Sequence, residues 1–298
     1  MPHSPICPAL WRGKRFFVKR DDLLNPLING NKARKLQFLY PLIKAQKLKR
    51  IVSYGSLQSN AMYALALFAK LQGLEFHYYA RINEDLLTNP KGNLKEALFF
   101  GMKLFDIHKA PSFFIEEKNI LATTIKKGDT LYIPEGIRCK EAEDGIALLA
   151  FEIERWVKKP INIFLPSGTG TTALYLKKNL RFCPLIKEVY TVACVGDSSY
   201  LQEQFDKLEP NRSLHPKILK PSKRYRFAKP YIELFALWQE LKQESGIVFD
   251  LIYDPIGFAT ILHHNLLDTN LCYIHQGGLL GNATMIERYK KKFATIFN

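Results

Sequence analysis

Residues 50–61 read Arg50-Ile51-Val52-Ser53-Tyr54-Gly55-Ser56-Leu57-Gln58-Ser59-Asn60-Ala61. Arg50 to Tyr54 has the apolar, β-branched and aromatic character of a buried strand. Gly55 to Asn60 forms a loop, and the apolar run from Ala61 to Gln72 predicts a helix. The same order returns further on, with a strand over Ile161–Leu165, the loop Pro166-Ser167-Gly168-Thr169-Gly170-Thr171-Thr172 and a helix from Ala173. Outward from these segments, strands are predicted at 15–18, 75–80, 103–107, 130–133, 189–195 and 271–274. Helices are predicted at 32–47, 93–101, 141–158 and 231–245, the first N-capped by Asn31. Strand, loop and helix repeating in this order predict an α/β fold with parallel strands. No internal repeat or low-complexity linker is present, so a second domain is expected as an insertion into the first.

The chain has 298 residues, 47% hydrophobic and 24% charged, enough for a substantial core and about two domains. This composition excludes a disordered tail, a collagen and a small disulfide scaffold. No apolar run approaches the ~20 residues that span a bilayer, so no membrane partner is expected. The first residues, Met1-Pro2-His3-Ser4-Pro5-Ile6-Cys7, lack the layout of a signal peptide. The five cysteines, Cys7, Cys139, Cys183, Cys194 and Cys272, are scattered without CxxC spacing. Reduced thiols in the cytoplasm are the expectation, with no metal site. The net charge of +15 raises the rival reading of a basic nucleic-acid-binding protein. The basic residues run along the whole chain without a helix-turn-helix, zinc-finger or RNA-binding signature, so no nucleic-acid partner is expected. Such a field attracts anionic small molecules.

Three constellations carry chemistry. Ser167 to Thr172 lies between a strand and a helix, where glycines admit close approach and a helix N-terminus offers unpaired N–H groups to an anion. It lacks the lysine of a P-loop and meets the dinucleotide GxGxxG only loosely at Ala173, which points to a small monophosphate. Gly30-Asn31-Lys32-Ala33-Arg34-Lys35 places Lys32 and Lys35 on one face of a helix start. Two cations there oppose the helix dipole unless one lysine is bound covalently as a Schiff base and the other pairs with a phosphate. A solvated surface is the plain alternative. Gly55 to Asn60 converges hydroxyl, amide and backbone N–H groups and suits a carboxylate, with an ordinary N-cap at Ser59 or Asn60 as its alternative.

Together these elements resemble the fold-type-II pyridoxal-phosphate enzymes, in the branch of 1-aminocyclopropane-1-carboxylate deaminase and D-cysteine desulfhydrase. The resemblance spans nearly the whole chain. Lys19-Arg20-Asp21-Asp22-Leu23 is similar to the branch's KRDDL/KREDL, and Gly30 to Lys35 to GNKxRK. Gly55 to Asn60 is similar to GxxQSN, Gly92-Asn93-Leu94 to GNL, and Ile133-Pro134-Glu135-Gly136 to IPEGG. Ser167 to Thr172 is similar to GTGGT, Asp250 to Ile256 to DPVYxGK, and His275-Gln276-Gly277-Gly278 to HTGG.

The resemblance implies a three-layer αβα architecture of the tryptophan synthase beta-like type, with mostly parallel sheets. Residues 1–35 and 129–298 would form a larger domain and 36–128 a smaller inserted one, with pyridoxal 5'-phosphate in the cleft between them. It further implies that Lys32 is the Schiff-base lysine and moves the substrate's α-proton. Lys35, Gly168, Thr169, Gly170, Thr171 and Thr172 would hold the cofactor phosphate. Asn60 would bond the pyridoxal 3'-oxygen, and Asp254 would face the pyridine nitrogen and keep it protonated. Ser59 would sit beside the substrate carboxylate with Tyr253 as the active-site tyrosine, and Gln58, Asn60, Phe227 and Gln276 would line the substrate. The sequence departs from the branch at Ala61, Phe227, Pro255, Ile256 and Gln276. Phe227 lacks a tyrosine hydroxyl, and Gln276 stands where desulfhydrases have threonine and cyclopropane deaminases leucine. The expected activity is β-elimination on D-cysteine giving pyruvate, sulfide and ammonia. Cyclopropane deamination to 2-oxobutanoate, and an amino-acid-binding protein of low turnover, are the alternatives. A small amino-acid substrate and a homodimer complete the expectation.

Overall fold

The computed structural model describes residues 3–28, 30–112, 114 and 123–297; Met1 and Pro2 of the N-terminal reading lie outside them. The strands are β1 (Ile6–Trp11), β2 (Lys14–Arg20), β3 (Arg50–Tyr54), β4 (Glu75–Ala80), β5 (Lys103–Asp106), β6 (Ile125–Lys127), β7 (Thr130–Tyr132), β8 (Ile161–Ser167), β9 (Ile186–Ala193), β10 (Lys217–Leu219) and β11 (Leu271–His275). They fall in two units, Met1–Asn31 with Ile146–Asn298, and Lys32–Gly145. The fold is mixed α/β with two mostly parallel sheets.

The larger unit is built on a sheet of order β1-β2-β11-β8-β9-β10, parallel except where β1 meets β2. β8 is buried at all seven positions, as expected of a central parallel strand covered on both faces. Helices Thr171–Leu180 and Asp254–His263 pack against it. Tyr273 on β11 lies in register with Phe164 and Val18 and stacks on Phe258 at 4.3 Å. Phe249 meets the Tyr273 ring edge-on at 5.7 Å. This aromatic cluster is the centre of the core.

The smaller unit is built on β5-β4-β3-β7-β6, antiparallel only between β6 and β7. Helix Asn60–Leu71 packs on β3 and β4, with Ala61, Met62, Ala64, Leu65 and Phe68 among its buried residues. Ser59 caps it, its Oγ accepting the N–H groups of Ala61 at 3.1 Å and Met62 at 3.4 Å. That places the loop 55–59 at the end of β3, between strand and helix.

Three expectations are corrected. The helix expected over 32–47 is two helices, Gly30–Lys35 and Leu39–Gln46. Pro41 has no N–H and would clash with the carbonyl of residue 37 in a continuous helix; restarting at Leu39 places it in a first turn, where it is tolerated. The Asn31 side chain does not cap the first of these helices, because it bonds Thr172 and Gln276 instead. Residues 129–145, expected with the larger domain, lie with the smaller one, because β7 extends the sheet beside β3. Residues 32–35 also lie there, and a Cβ on Gly145 would come within 1.8 Å of the Arg34 carbonyl oxygen. The helices Ser198–Leu208 and Gly281–Lys292 have no counterpart in the sequence reading. Among the described residues no helix is long and apolar enough to cross a membrane.

Candidate active site

In the larger unit the loop after β8 turns on Gly170, whose φ is +74° and which leads into helix Thr171–Leu180. No side chain caps that helix, and Thr171 and Thr172 are buried. Its first-turn N–H groups have no intrahelical acceptor and are withdrawn from bulk water, a state that favours a bound anion. Thr169 Oγ1 and Thr171 Oγ1 stand 3.4 Å apart. Ser167 is turned into the sheet, its hydroxyl 2.7 Å from Thr191 Oγ1. A Cβ on Gly168 would meet the Tyr253 ring at 3.4 Å, so the tyrosine lies beside this loop. The Phe227 ring contacts Tyr253 with centroids 5.5 Å apart and is 42% exposed.

Tyr253 is presented by an aspartate turn. Asp250 Oδ1 accepts the N–H groups of Ile252 at 2.8 Å and Tyr253 at 2.6 Å, the pattern of an Asx turn. Asp254 begins the next helix with Pro255 behind it. Its Oδ1 accepts from the Tyr273 hydroxyl at 2.6 Å and its Oδ2 from the Asp250 N–H at 2.8 Å. Burial raises the Asp250 carboxyl to about 7. Burial, with repulsion from Asp250, pushes Asp254 well above the carboxylate range. Asp254 was expected to face a pyridine nitrogen; each of its oxygens accepts one bond from protein, which leaves a second lone pair on each. His275 is buried, its Nε2 2.8 Å from the Val248 carbonyl, while Nδ1 accepts the Gly277 N–H at 3.1 Å. Burial lowers its pKa, consistent with a neutral ring whose Nε2–H donates to Val248.

Gln276, expected to line the substrate, is bonded at each end of its amide. Its Oε1 accepts from Asn31 Nδ2 at 2.9 Å, and its Nε2 donates to the Pro166 carbonyl at 2.7 Å. The motif residues Lys19 to Asp22 are structural. Lys19 is fully buried, 2.5 Å from Glu152 Oε2 and bonded to Ser4, while Arg20 pairs with Asp22 at 2.7 Å.

In the smaller unit Lys32 and Lys35 stand one helical turn apart. Among the described residues no ion pair holds the Lys32 ammonium, and desolvation lowers it from its ordinary 10.5 to about 8. Lys35 is 2% exposed and donates to the Gly136 carbonyl at 3.1 Å. Burial, then the charges of Lys32 and Arg138, hold its pKa well below the usual lysine range. Concentrating positive charge away from water is costly without an anion to offset it, so the donor set fits a phosphate at Lys35 and a carbonyl carbon at Lys32.

On the loop 55–60, a Cβ on Gly55 would lie 2.7 Å from the Tyr78 hydroxyl and 2.8 Å from Glu135 Oε1, so only glycine fits. Asn60 Oδ1 accepts from Asn93 Nδ2 at 2.7 Å, which leaves the Asn60 amide NH2 to donate elsewhere. Gln58 Nε2 donates to the Lys91 carbonyl at 3.1 Å, and its buried Oε1 has no partner among the described residues. The larger unit thus brings together Gly168, Thr169, Gly170, Thr171, Thr172, Tyr253 and Phe227; the smaller brings Lys32 to Lys35 and Asn60 to Gln58 and Ser59. Asn93 was legible only as part of Gly92-Asn93-Leu94, and Arg138 carried no sequence signal. Among the described residues no group of side chains could hold a metal ion.

Comparison with known proteins adds to this geometry. A solved structure of an ACC deaminase homologue superposes over 96% of this chain and 94% of its own, with a TM-score of 0.77 and 22% identity. The fold is that of the fold-type-II pyridoxal-phosphate enzymes. Among sequence relatives, a protein of Oryza sativa subsp. japonica, provisionally named D-cysteine desulfhydrase 2, mitochondrial, is 26% identical over 94% of this chain and 81% of its own length. The Arabidopsis thaliana protein named bifunctional D-cysteine desulfhydrase/1-aminocyclopropane-1-carboxylate deaminase, mitochondrial, is 24% identical over 94% of this chain and 76% of its own. No protein-family model matches the chain.

Proposed function

We propose that this chain is a pyridoxal-phosphate-dependent lyase or deaminase of small amino acids, acting foremost as a D-cysteine desulfhydrase. The observation that carries this reading is Lys32: desolvated, without a carboxylate partner among the described residues and held near pH 8, one turn from the buried Lys35. Such an amine is half unprotonated at mildly alkaline pH, as a nucleophile and proton carrier requires.

Pyridoxal 5'-phosphate, when bound, supplies a conjugated ring that takes up the electron pair left at the α-carbon after proton loss. Lys35 and the uncapped helix start at Gly168 to Thr172 would hold its phosphate. The Asn60 amide NH2 would donate to its 3'-oxygen, and Ser59, whose hydroxyl proton is not used in capping, would donate to the substrate carboxylate. Lys32 Nζ would take the α-proton, and Tyr253 would stand beside the leaving group. Asp254, whose oxygens each keep a lone pair beside the bonds from Tyr273 and Asp250, would face the pyridine nitrogen. D-cysteine and water would then give pyruvate, hydrogen sulfide and ammonia. The Arabidopsis relative carries both activities in its name, so ring opening of 1-aminocyclopropane-1-carboxylate to 2-oxobutanoate and ammonia is the second reading. Phe227, with no hydroxyl to offer beside Tyr253, favours the first.

The five free thiols support a reducing compartment, taken here as the cytoplasm, and a homodimer goes with the same reading. The deciding assay incubates cofactor-loaded protein with D-cysteine or with the cyclopropane amino acid. Pyruvate with stoichiometric sulfide, lost in Lys32→Ala, is the expected result. Spectral shifts with amino acids but neither 2-oxo acid would contradict catalysis and leave an amino-acid-binding protein.

A further inference from the structure

Gln276 and Asn31 are joined twice. The Asn31 backbone N–H donates to the Gln276 carbonyl at 3.1 Å, and the Asn31 side-chain Nδ2 donates to Gln276 Oε1 at 2.9 Å. The other end of the Gln276 amide donates to the carbonyl of Pro166 at 2.7 Å, one residue before Ser167 at the end of β8. Asn31 Nδ2 also reaches Thr172 Oγ1 at 3.3 Å, on the first turn of the helix after the loop. The approach of the two chains is so close that a Cβ on Gly30 would lie 1.8 Å from the Gln276 carbonyl oxygen. Gln276 therefore bridges the residue that precedes Lys32 to the Pro166 end of the loop, while Asn31 itself reaches Thr172 at the other end.

We propose that Gln276 is a positioning residue, which holds Asn31, the residue before Lys32, against the phosphate loop. This rests on the reading that Lys32 and that loop take up pyridoxal 5'-phosphate. The amide is suited to the task because one end must accept and the other donate. A leucine of similar size offers neither group, and a glutamate loses the donor to Pro166 and sets a carboxylate against its carbonyl. With each end of its amide bonded to protein, the Gln276 side chain is fixed in one orientation.

The test compares wild-type holoenzyme with Gln276→Leu, Gln276→Glu and Asn31→Ala, and with the double variant Gln276→Leu/Asn31→Ala. Three quantities are read: the dissociation constant for pyridoxal 5'-phosphate, the pH at which the visible band of the lysine-bound cofactor changes, and kcat and KM with D-cysteine. Each single variant is expected to weaken cofactor binding about tenfold, the effect of one or two lost hydrogen bonds. The pH of the spectral change should move and kcat fall, with KM altered less than about twofold. Because both residues act through one bridge, the double variant should be no worse than the poorer single one. Unchanged cofactor affinity and spectrum with a KM raised tenfold would overturn the proposal and return Gln276 to the substrate. Additive losses in the double variant would overturn it too. Asn31→Ala severs the bridge from the other side, so the comparison stands if a Gln276 variant does not fold. Wild-type protein without any lysine-bound band would contradict the functional reading itself, which is a separate result.

Discussion

Asn93 Nδ2 donates to Asn60 Oδ1 at 2.7 Å and to the Gln58 carbonyl at 2.9 Å, from a side chain only 1% exposed. The two bonds determine which end of the Asn60 amide is held by protein and which is free to donate. Asn93→Ala should release that amide and cost about 1–3 kcal/mol by leaving Asn60 Oδ1 and the Gln58 carbonyl without their donor. Asn93→Asp, which cannot donate when ionised, should be no better. Thermal melts and the absorbance of cofactor-loaded protein check both: the expected outcome is a lowered midpoint with a shifted band.

The Lys32 amine attacks only as the free base, so covalent capture of pyridoxal 5'-phosphate should accelerate as pH rises. With burial lowering the group to about 8, the rate should reach half its plateau near that pH. Stopped-flow absorbance between pH 6 and 10.5 measures it. A midpoint near the ordinary lysine value of about 10.5 would mean that the amine is solvated.

Lys35 should be a cost to the empty protein. Its folded-state pKa lies well below that of the unfolded chain, so the unfolded state binds more protons and stability rises with pH up to about 10.5, the unfolded value. Lys35→Met removes the buried charge and should raise the melting midpoint at pH 7 by roughly 2–4 °C. The same variant should weaken pyridoxal 5'-phosphate binding at least about tenfold, through the loss of a charge-assisted bond to phosphate. Calorimetry and spectral titration on one preparation give both numbers. A destabilised variant with intact cofactor affinity would make Lys35 a structural residue.

Two glycines with nearly the same φ separate strain from crowding. Gly30 has φ +65° and faces the Gln276 carbonyl, whereas Gly246 has φ +68° and nothing within 4 Å of an added Cβ. Gly246→Ala should cost about 1–2 kcal/mol, the left-handed penalty alone. Gly30→Ala should cost more than about 4 kcal/mol, because backbone must also move. Urea denaturation of the two variants gives the difference directly.

Much of this was readable locally. The strands at 50–54 and 161–167 announce themselves by composition, and the loops that follow each end in a helix start that needs a partner. The break at Pro41 was readable too, from its missing N–H, but the apolar spacing on either side masks it. What stayed hidden was long-range. Asp254 meets Tyr273, 19 residues away, and Asn31 meets Gln276, 245 residues away; no periodicity encodes either pair. Local reading therefore made Asn31 a cap, whereas the role of Asp254 came only from the family resemblance. The tertiary fold gives Asn31 partners other than its own helix. Lys32 differs, because its unsuitability as a cation at a helix start is itself a local signal.

The measurement that bears most directly on the central claim is the visible absorbance of the purified, cofactor-incubated protein before and after borohydride, followed by peptide mapping. A yellow band that disappears on reduction, with the stable adduct on Lys32 and on no other lysine, is the predicted result. A colourless protein, or an adduct spread over exposed lysines with Lys32 unmodified, would contradict it.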